Sequence, residues 1–285
     1  MQRMTRIAFL RNSLAVFTAI ALAGSAFAYF DESYAQASNE ADDPRLDVIY
    51  VPTPHEVVKR MLEIAKVGPN DIHYDLGSGD GRIVISAVKD FKARKGVGID
   101  LDPKRIKEAQ DNLAKAGVGD RVTFLNQNIF ETDFSEASVI SLYLLSTLNL
   151  KLRPTLLDMK PGTRIVTQSF AMDNWEPDYK ESVEFDATGY KGARTVYLFV
   201  VPAKVGGKWA MNAGERNIAL DLSQAFQHFK GTATVDGKNT TITDGKLNGA
   251  NIEFTLEIDG KPLKYEGKVE GNGITGNNWA AKKAS

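Results

Sequence analysis

The 285-residue sequence contains no cysteine. That excludes disulfides, thiolate zinc sites and a cysteine nucleophile. Histidine is scarce: only His55, His73 and His228 occur, and they show no metal-ligand spacing, so no metal is expected. An excess of one charge is missing too, because 35 Lys and Arg stand against 36 Asp and Glu. A polyanion surface needs clustered basic residues, so nucleic acid is not an expected partner. The apolar run Leu14–Ala23 is short for a membrane span. What remains is ordinary for a globular chain, 43% hydrophobic and 25% charged, with room for one large domain or two smaller ones.

The start of the chain reads as a targeting segment. Arg3, Arg6 and Arg11 precede the apolar run, and Gly24-Ser25-Ala26-Phe27-Ala28 follows it. A basic start, a short apolar centre and an A-x-A site describe a secretory signal peptide over residues 1–28, with a second A-x-A at Ala35-Gln36-Ala37. The expectation is export to the periplasm with no stable membrane span after cleavage. An uncleaved run would leave a membrane anchor. Residues 38–47 are polar and acidic and read as a linker.

From residue 48 to 202, strand-like and helix-like stretches alternate. Thr53 with Glu56 suggests a capping box, with Pro54 at the first helical position. The segment from Ile72 to Leu76 reads as a buried strand, and Ile83 to Phe91 as a helix. Val97 to Asp100 is a second strand, followed by a helix capped by Asp102 and closed by Gly117. Further strands fit 121–125, 137–142 and 163–169, with a helix over 148–159 and a closing β pair at 180–185 and 195–201. This order predicts a doubly wound α/β sheet. From residue 206 to 285 the texture changes to short alternating strands. Asp236-Gly237-Lys238, Asp244-Gly245-Lys246 and Asp259-Gly260-Lys261 read as hairpin turns, and the whole as a small antiparallel all-β barrel or meander.

The stretch with most chemistry is Asp75-Leu76-Gly77-Ser78-Gly79-Asp80-Gly81-Arg82, a glycine turn between the first strand and its helix. Glycines at alternate positions permit positive φ and close approach of a ligand to the backbone. Asp100 ends the second strand, where a carboxylate can grip both ribose hydroxyls of an adenosine. Asp75 and Asp80 are poorly placed for a pyrophosphate. They suit a ligand with a cationic amino-acid end, S-adenosylmethionine. The segment Asp75–Gly81 resembles motif I of the class I, seven-strand S-adenosylmethionine-dependent methyltransferases. Gly98-Ile99-Asp100 resembles their ribose-binding strand, and Asn128 matches the position near the adenine. Through Tyr50-Val51-Pro52-Thr53-Pro54 and Asp75–Val84 the chain resembles a bacterial group similar to the mitochondrial ATP-synthase c-subunit lysine methyltransferases. The resemblance implies a Rossmann-like seven-strand methyltransferase domain over 48–202. It also implies cofactor contacts from Tyr50, Thr53, Asp75, Gly77, Ser78, Gly79, Asp80, Gly81, Asp100 and Asn128, and a protein lysine as acceptor.

Departures from the wider pattern are informative. Amino-group methyltransferases for bases carry an Asn or Asp with two prolines and an aromatic after the fourth strand. Leu142-Tyr143-Leu144-Leu145 stands here instead, which argues against a base as acceptor. Tyr143 is the candidate catalytic-site wall for the acceptor, with a core tyrosine as the plain alternative. Trp175 is either an acceptor-side residue or a packed loop tryptophan. Gly207-Lys208-Trp209 gives the β domain a weak likeness to lipocalin-type barrels, with Trp209 as a barrel plug or part of a binding module. Two competing functions follow: an exported binding module that keeps the α/β fold as a scaffold, and an NAD-dependent oxidoreductase. The intact glycines and Asp100 count against the first. The turn spacing counts against the second.

Overall fold

The computed structural model describes residues 50–187 and 190–284. The signal-peptide reading of residues 1–28 and the linker reading of 38–47 lie outside them. The chain divides into two units, residues 1–52 and 53–285. Of the first, residues 50–52 are described, and they form neither helix nor strand.

In the second unit, β1 (Ile72–Leu76), β2 (Lys95–Asp100), β3 (Val122–Asn126), β4 (Val139–Leu142), β5 (Arg164–Gln168), β6 (Tyr179–Ala187) and β7 (Tyr190–Val200) form one sheet. Its order is β3-β2-β1-β4-β5-β7-β6. The first five are parallel, whereas β7 runs antiparallel to both β5 and β6. The helices are α1 (His55–Ile64), α2 (Arg82–Lys89), α3 (Pro103–Ala116) and α4 (Ser146–Leu157). Val57, Met61 and Leu62 of α1 pack with Val84 and Val88 of α2 over Val139, Val166 and Val196. Leu152 and Leu156 of α4 cover the other face with Leu76, Ile140 and Phe199. Strand order reverses between β1 and β4, the crevice position where open α/β sheets bind ligands.

Eight further strands, β8 (Gly207–Ala213), β9 (Arg216–Ala225), β10 (His228–Val235), β11 (Lys238–Asn248), β12 (Asn251–Ile258), β13 (Lys261–Glu270), β14 (Gly273–Gly276) and β15 (Trp279–Lys283), close into an antiparallel barrel. Closure of β15 on β8 leaves no free edge. Inward positions alternate with exposed ones, and Trp209, Phe254 and Trp279 contribute to the interior. Asp236-Gly237 and Asp259-Gly260 lie between consecutive strands with both residues at positive φ, as hairpin turns of this kind need. Asp244-Gly245 departs from the hairpin expectation. It lies inside β11, where the ladder to β12 shifts between Thr243 and Lys246. Aspartate at positive φ followed by glycine serves a β-bulge as well as a turn. A Cβ at Gly245 would meet the Phe229 carbonyl oxygen at 2.1 Å, so the close approach of β10 selects glycine.

Three helix-end expectations have different outcomes. Asp102 caps α3, accepting a hydrogen bond from the Lys104 amide at 2.8 Å, and Gly117 ends that helix at φ 71°. The Thr53–Glu56 box does not form. The N-cap of α1 is Pro54 and no side chain caps it. The Thr53 carbonyl instead accepts from the Arg82 guanidinium at 2.8 Å, which ties the entry to α1 onto the start of α2.

Candidate functional site

The site is built at the carboxyl ends of β1, β2, β4 and β5. Gly77, Gly79 and Gly81 all take positive φ, at 80°, 50° and 78°. Gly81 needs both its conformation and its missing side chain, because a Cβ there would lie 2.4 Å from the Phe124 ring. Most of the turn's amides are engaged within the protein. Gly77 and Ser78 both donate to the Ile99 carbonyl, Gly81 donates to Ser78, and Gly79 donates to the Asp100 carboxylate at 2.8 Å. A pyrophosphate cradle needs such amides free and pointing at the ligand. Their engagement here removes the basis for dinucleotide binding.

Asp100 also accepts from the Asp102 amide at 2.9 Å through its other oxygen. Each oxygen keeps a lone pair for a further donor, such as a ribose hydroxyl. Burial raises the Asp100 pKa above the usual carboxylate range, against the two backbone hydrogen bonds that lower it. Leu101, just after β2, and Leu145, just before α4, are two of the few large apolar side chains that stand exposed among the described residues, at 42% and 41%.

Asp75 is the most unusual group. It is 1% exposed; one oxygen accepts from the Ser141 hydroxyl at 2.5 Å, while the other has no partner among the described residues. Burial, helped by the nearby charges of Asp100 and Asp80, pushes its pKa up to about 8 despite the Ser141 bond. A buried carboxylate with an unmatched oxygen is stabilised by an incoming cation. The Ser78 hydroxyl is likewise buried without a partner.

Two residues expected at the site have other duties. Asp80 is held by Arg82 through contacts of 2.7 to 3.0 Å and also accepts the Arg82 amide, so it is an ion-paired start to α2 rather than a free acid for a ligand. A guanidinium two residues on in the chain out-competes any distant cation. Asn128 accepts from the Phe130 amide at 3.0 Å and donates to Glu131, closing its own turn. Thr53 is buried beside α1. Tyr50 belongs to the unit of residues 1–52.

On the far side from Asp100, half-buried Tyr143 stacks on Phe170, with ring centroids 6.3 Å apart. The Phe170 carbonyl is gripped from beneath by Thr167 at 2.7 Å and Asn149 at 3.2 Å. Its amide donates to Gln168 across Ser169, which has φ 63°, so the chain doubles back sharply at the end of β5. Trp175 takes the packed-loop reading. It is fully buried between Phe199 and Phe226, at centroid distances of 5.0 and 6.0 Å, and faces the barrel's β9–β10 turn rather than an acceptor. Sequence reasoning missed Gln168, Phe170 and Leu101, since none lies in a local pattern of its own.

Comparison with known proteins bears on this geometry. The ANTKMT methyltransferase domain matches residues 75–179. A protein-lysine N-methyltransferase of Saccharolobus islandicus is 48% identical over 155 residues, covering 54% of this chain and 94% of the relative. The chain belongs to the S-adenosylmethionine-dependent methyltransferases. Within that family the methyltransferase is also similar to the adenine nucleotide translocase lysine N-methyltransferase of Mus musculus, 28% identical over 47% of this chain and 58% of the relative. A crystal structure described as an RNA methyltransferase from Salinibacter ruber with S-adenosyl-L-homocysteine is 47% identical, covering 54% of this chain and 96% of that one at a TM-score of 0.48. S-adenosylmethionine is the cofactor of the methyltransferase. The unmatched oxygens of Asp75 and Ser78 and the open lone pairs of Asp100 fit its ammonium and ribose.

Proposed function

We propose that the methyltransferase acts on a lysine ε-amine of a protein. The observation that carries the reading is the 48% identity to a protein-lysine N-methyltransferase across nearly the whole of that relative. The geometry supports it. Tyr143 and Phe170 form an aromatic wall at the ends of β4 and β5, suited to the apolar stem of a lysine and to a cation approaching a ring.

The bound cofactor supplies an activated methyl group on a sulfonium, so the protein's task is chiefly positioning and water exclusion. Asp100 orients the ribose and pins the glycine turn through the Gly79 amide. Asp75, with Ser141 behind it, faces the ammonium of the cofactor's amino-acid end. Thr53 and Tyr50 are assigned to the cofactor by the sequence resemblance alone. The acceptor must arrive as the neutral amine, and Tyr143 borders its path.

Incubating the purified chain with methyl-labelled S-adenosylmethionine, poly-L-lysine and total RNA tests this. Label in lysine is expected; label in RNA alone would reverse the assignment. The same proposal takes residues 1–28 as an export signal. A reporter fused at the carboxyl end should be active outside the cytosol, and activity confined to the cytosol would end that part of it.

A further inference from the structure

Gln168 is the residue that the chemistry so far leaves unused. It is 1% exposed, and neither its side-chain oxygen nor its side-chain nitrogen has a hydrogen-bond partner among the described residues. Its position follows from the sheet register. Asp75 is paired with Ser141, and Ser141 with Val166, so these three side chains share one face. Gln168 is the next residue of β5 on that face, and its partner on β7 is Val196. It therefore stands one step beyond Asp75 and Ser141 toward the carboxyl ends of the strands. The turn at Ser169 that sets Phe170 against Tyr143 follows directly.

As a purely structural residue Gln168 is a poor choice. Its neighbours on that face are the valines at 166 and 196. Leaving a buried polar group without a partner carries the full cost of stripping it of water, and an apolar side chain of the same shape would remove that cost. Asp75 and Ser78, whose polar atoms are likewise unpartnered among the described residues, lie at the same end of the sheet as Gln168, where a ligand can complete all three.

We infer that Gln168 binds the acceptor amine, its side-chain oxygen accepting an N–H so that the nitrogen lone pair is aimed at the methyl group. This rests on the lysine reading above. An amide takes no proton, so Gln168 orients without acting as a base. The amine nitrogen forms the new N–C bond with its lone pair, the electron pair of the broken S–C bond stays on sulfur, and the product ammonium releases its proton to water. A neutral primary amine has two N–H bonds, a monomethylated amine one and a dimethylated amine none. The contact therefore serves the first two transfers and is lost at the third.

The experiment compares the full chain with Gln168→Met. Four quantities are measured: melting temperature, affinity for S-adenosylhomocysteine, affinity of the S-adenosylhomocysteine complex for n-butylamine, and the rate of each methylation step on poly-L-lysine. The expected result is a melting temperature no lower than wild type and unchanged S-adenosylhomocysteine affinity. Affinity for n-butylamine and the rates of the first two transfers should each fall about tenfold or more. The third transfer should change least. Equal n-butylamine affinity and equal first-step rates would overturn the inference. So would parallel losses of melting temperature and S-adenosylhomocysteine affinity, which mark a structural residue. Wild-type protein that binds n-butylamine and S-adenosylhomocysteine but never methylates poly-L-lysine would sink the lysine reading and carry this inference down with it, a pattern distinct from failure of Gln168 alone.

Discussion

The sheet and the barrel treat buried polar groups differently. At the carboxyl ends of β1 and β5, Asp75, Ser78 and Gln168 are buried with polar atoms that have no partner among the described residues. In the barrel, among the described residues, the one such atom is the side-chain oxygen of Gln227, in the turn before β10. Even its buried tryptophans are matched: Trp209 donates to the Val205 carbonyl at 2.7 Å, and Trp279 donates to that of Glu266 at 2.9 Å. The barrel is consistent with itself. The α/β part is less so: besides Asp75, Ser78 and Gln168, both nitrogens of His73 near the start of β1, the Asn149 side-chain oxygen and the Trp175 indole nitrogen are buried without a partner among the described residues.

The largest expected effect breaks the barrel and leaves the site alone. Trp209→Ala removes a fully buried side chain and should lower stability by about 3–5 kcal/mol in denaturant unfolding. The affinity for S-adenosylhomocysteine at a temperature where the variant is folded should stay at the wild-type value. A matching fall in affinity would show that the two regions are not separable.

Asp75→Asn does the opposite. It keeps a partner for Ser141 but removes the charge, and calorimetry should show cofactor affinity falling by roughly tenfold to a hundredfold, the worth of a charge-assisted hydrogen bond. The ligand-free variant should melt higher than wild type at pH 8, because it no longer strains to ionise a buried acid.

The pH dependence sharpens the same point. The folded pKa of Asp75 lies near 8, above its ordinary 3.8. Its favourable contribution to the ligand-free fold is full below pH 3.8 and is lost progressively as pH rises toward 8. Ligand binding runs the other way, since a cation prefers the ionised form. S-adenosylhomocysteine affinity should rise by up to about tenfold per unit from pH 6 to 8 and then level off. A flat profile in wild type would remove the cation from Asp75. The smallest effect is expected from Lys264→Ala in the barrel. It breaks exposed pairs with Glu253 and Glu266, and neither melting temperature nor cofactor affinity should move measurably.

The parts of this design that are legible in the sequence are the ones encoded over short distances. Asp75, the three glycines and Asp100 announce themselves by spacing, since a strand, a turn and the next strand fix their geometry within one βαβ unit. Asp80 carries the same signal but a different fate, because Arg82 lies close enough to claim it. Asp244-Gly245 has hairpin chemistry, yet only the ladders to β10 and β12 decide that it is a bulge. Trp175 needs Phe226, which comes from the far side of the joint with the barrel. Gln168 becomes meaningful only when β5 is registered against β4 and β7, a relation that no window of sequence contains.

The passage from sheet to barrel has one more consequence. Val201, Ala203 and Val205 are buried, and the Gln224 side chain accepts from the Val205 amide while donating to the Ala203 carbonyl. Gly249 lies so close to Gly162 that a Cβ there would sit 3.0 Å from its backbone. The joint is thus a splint and not a tether. Any surface that takes hold of the barrel also sets the direction in which the mouth of the cofactor site points, as a handle sets the direction of a blade.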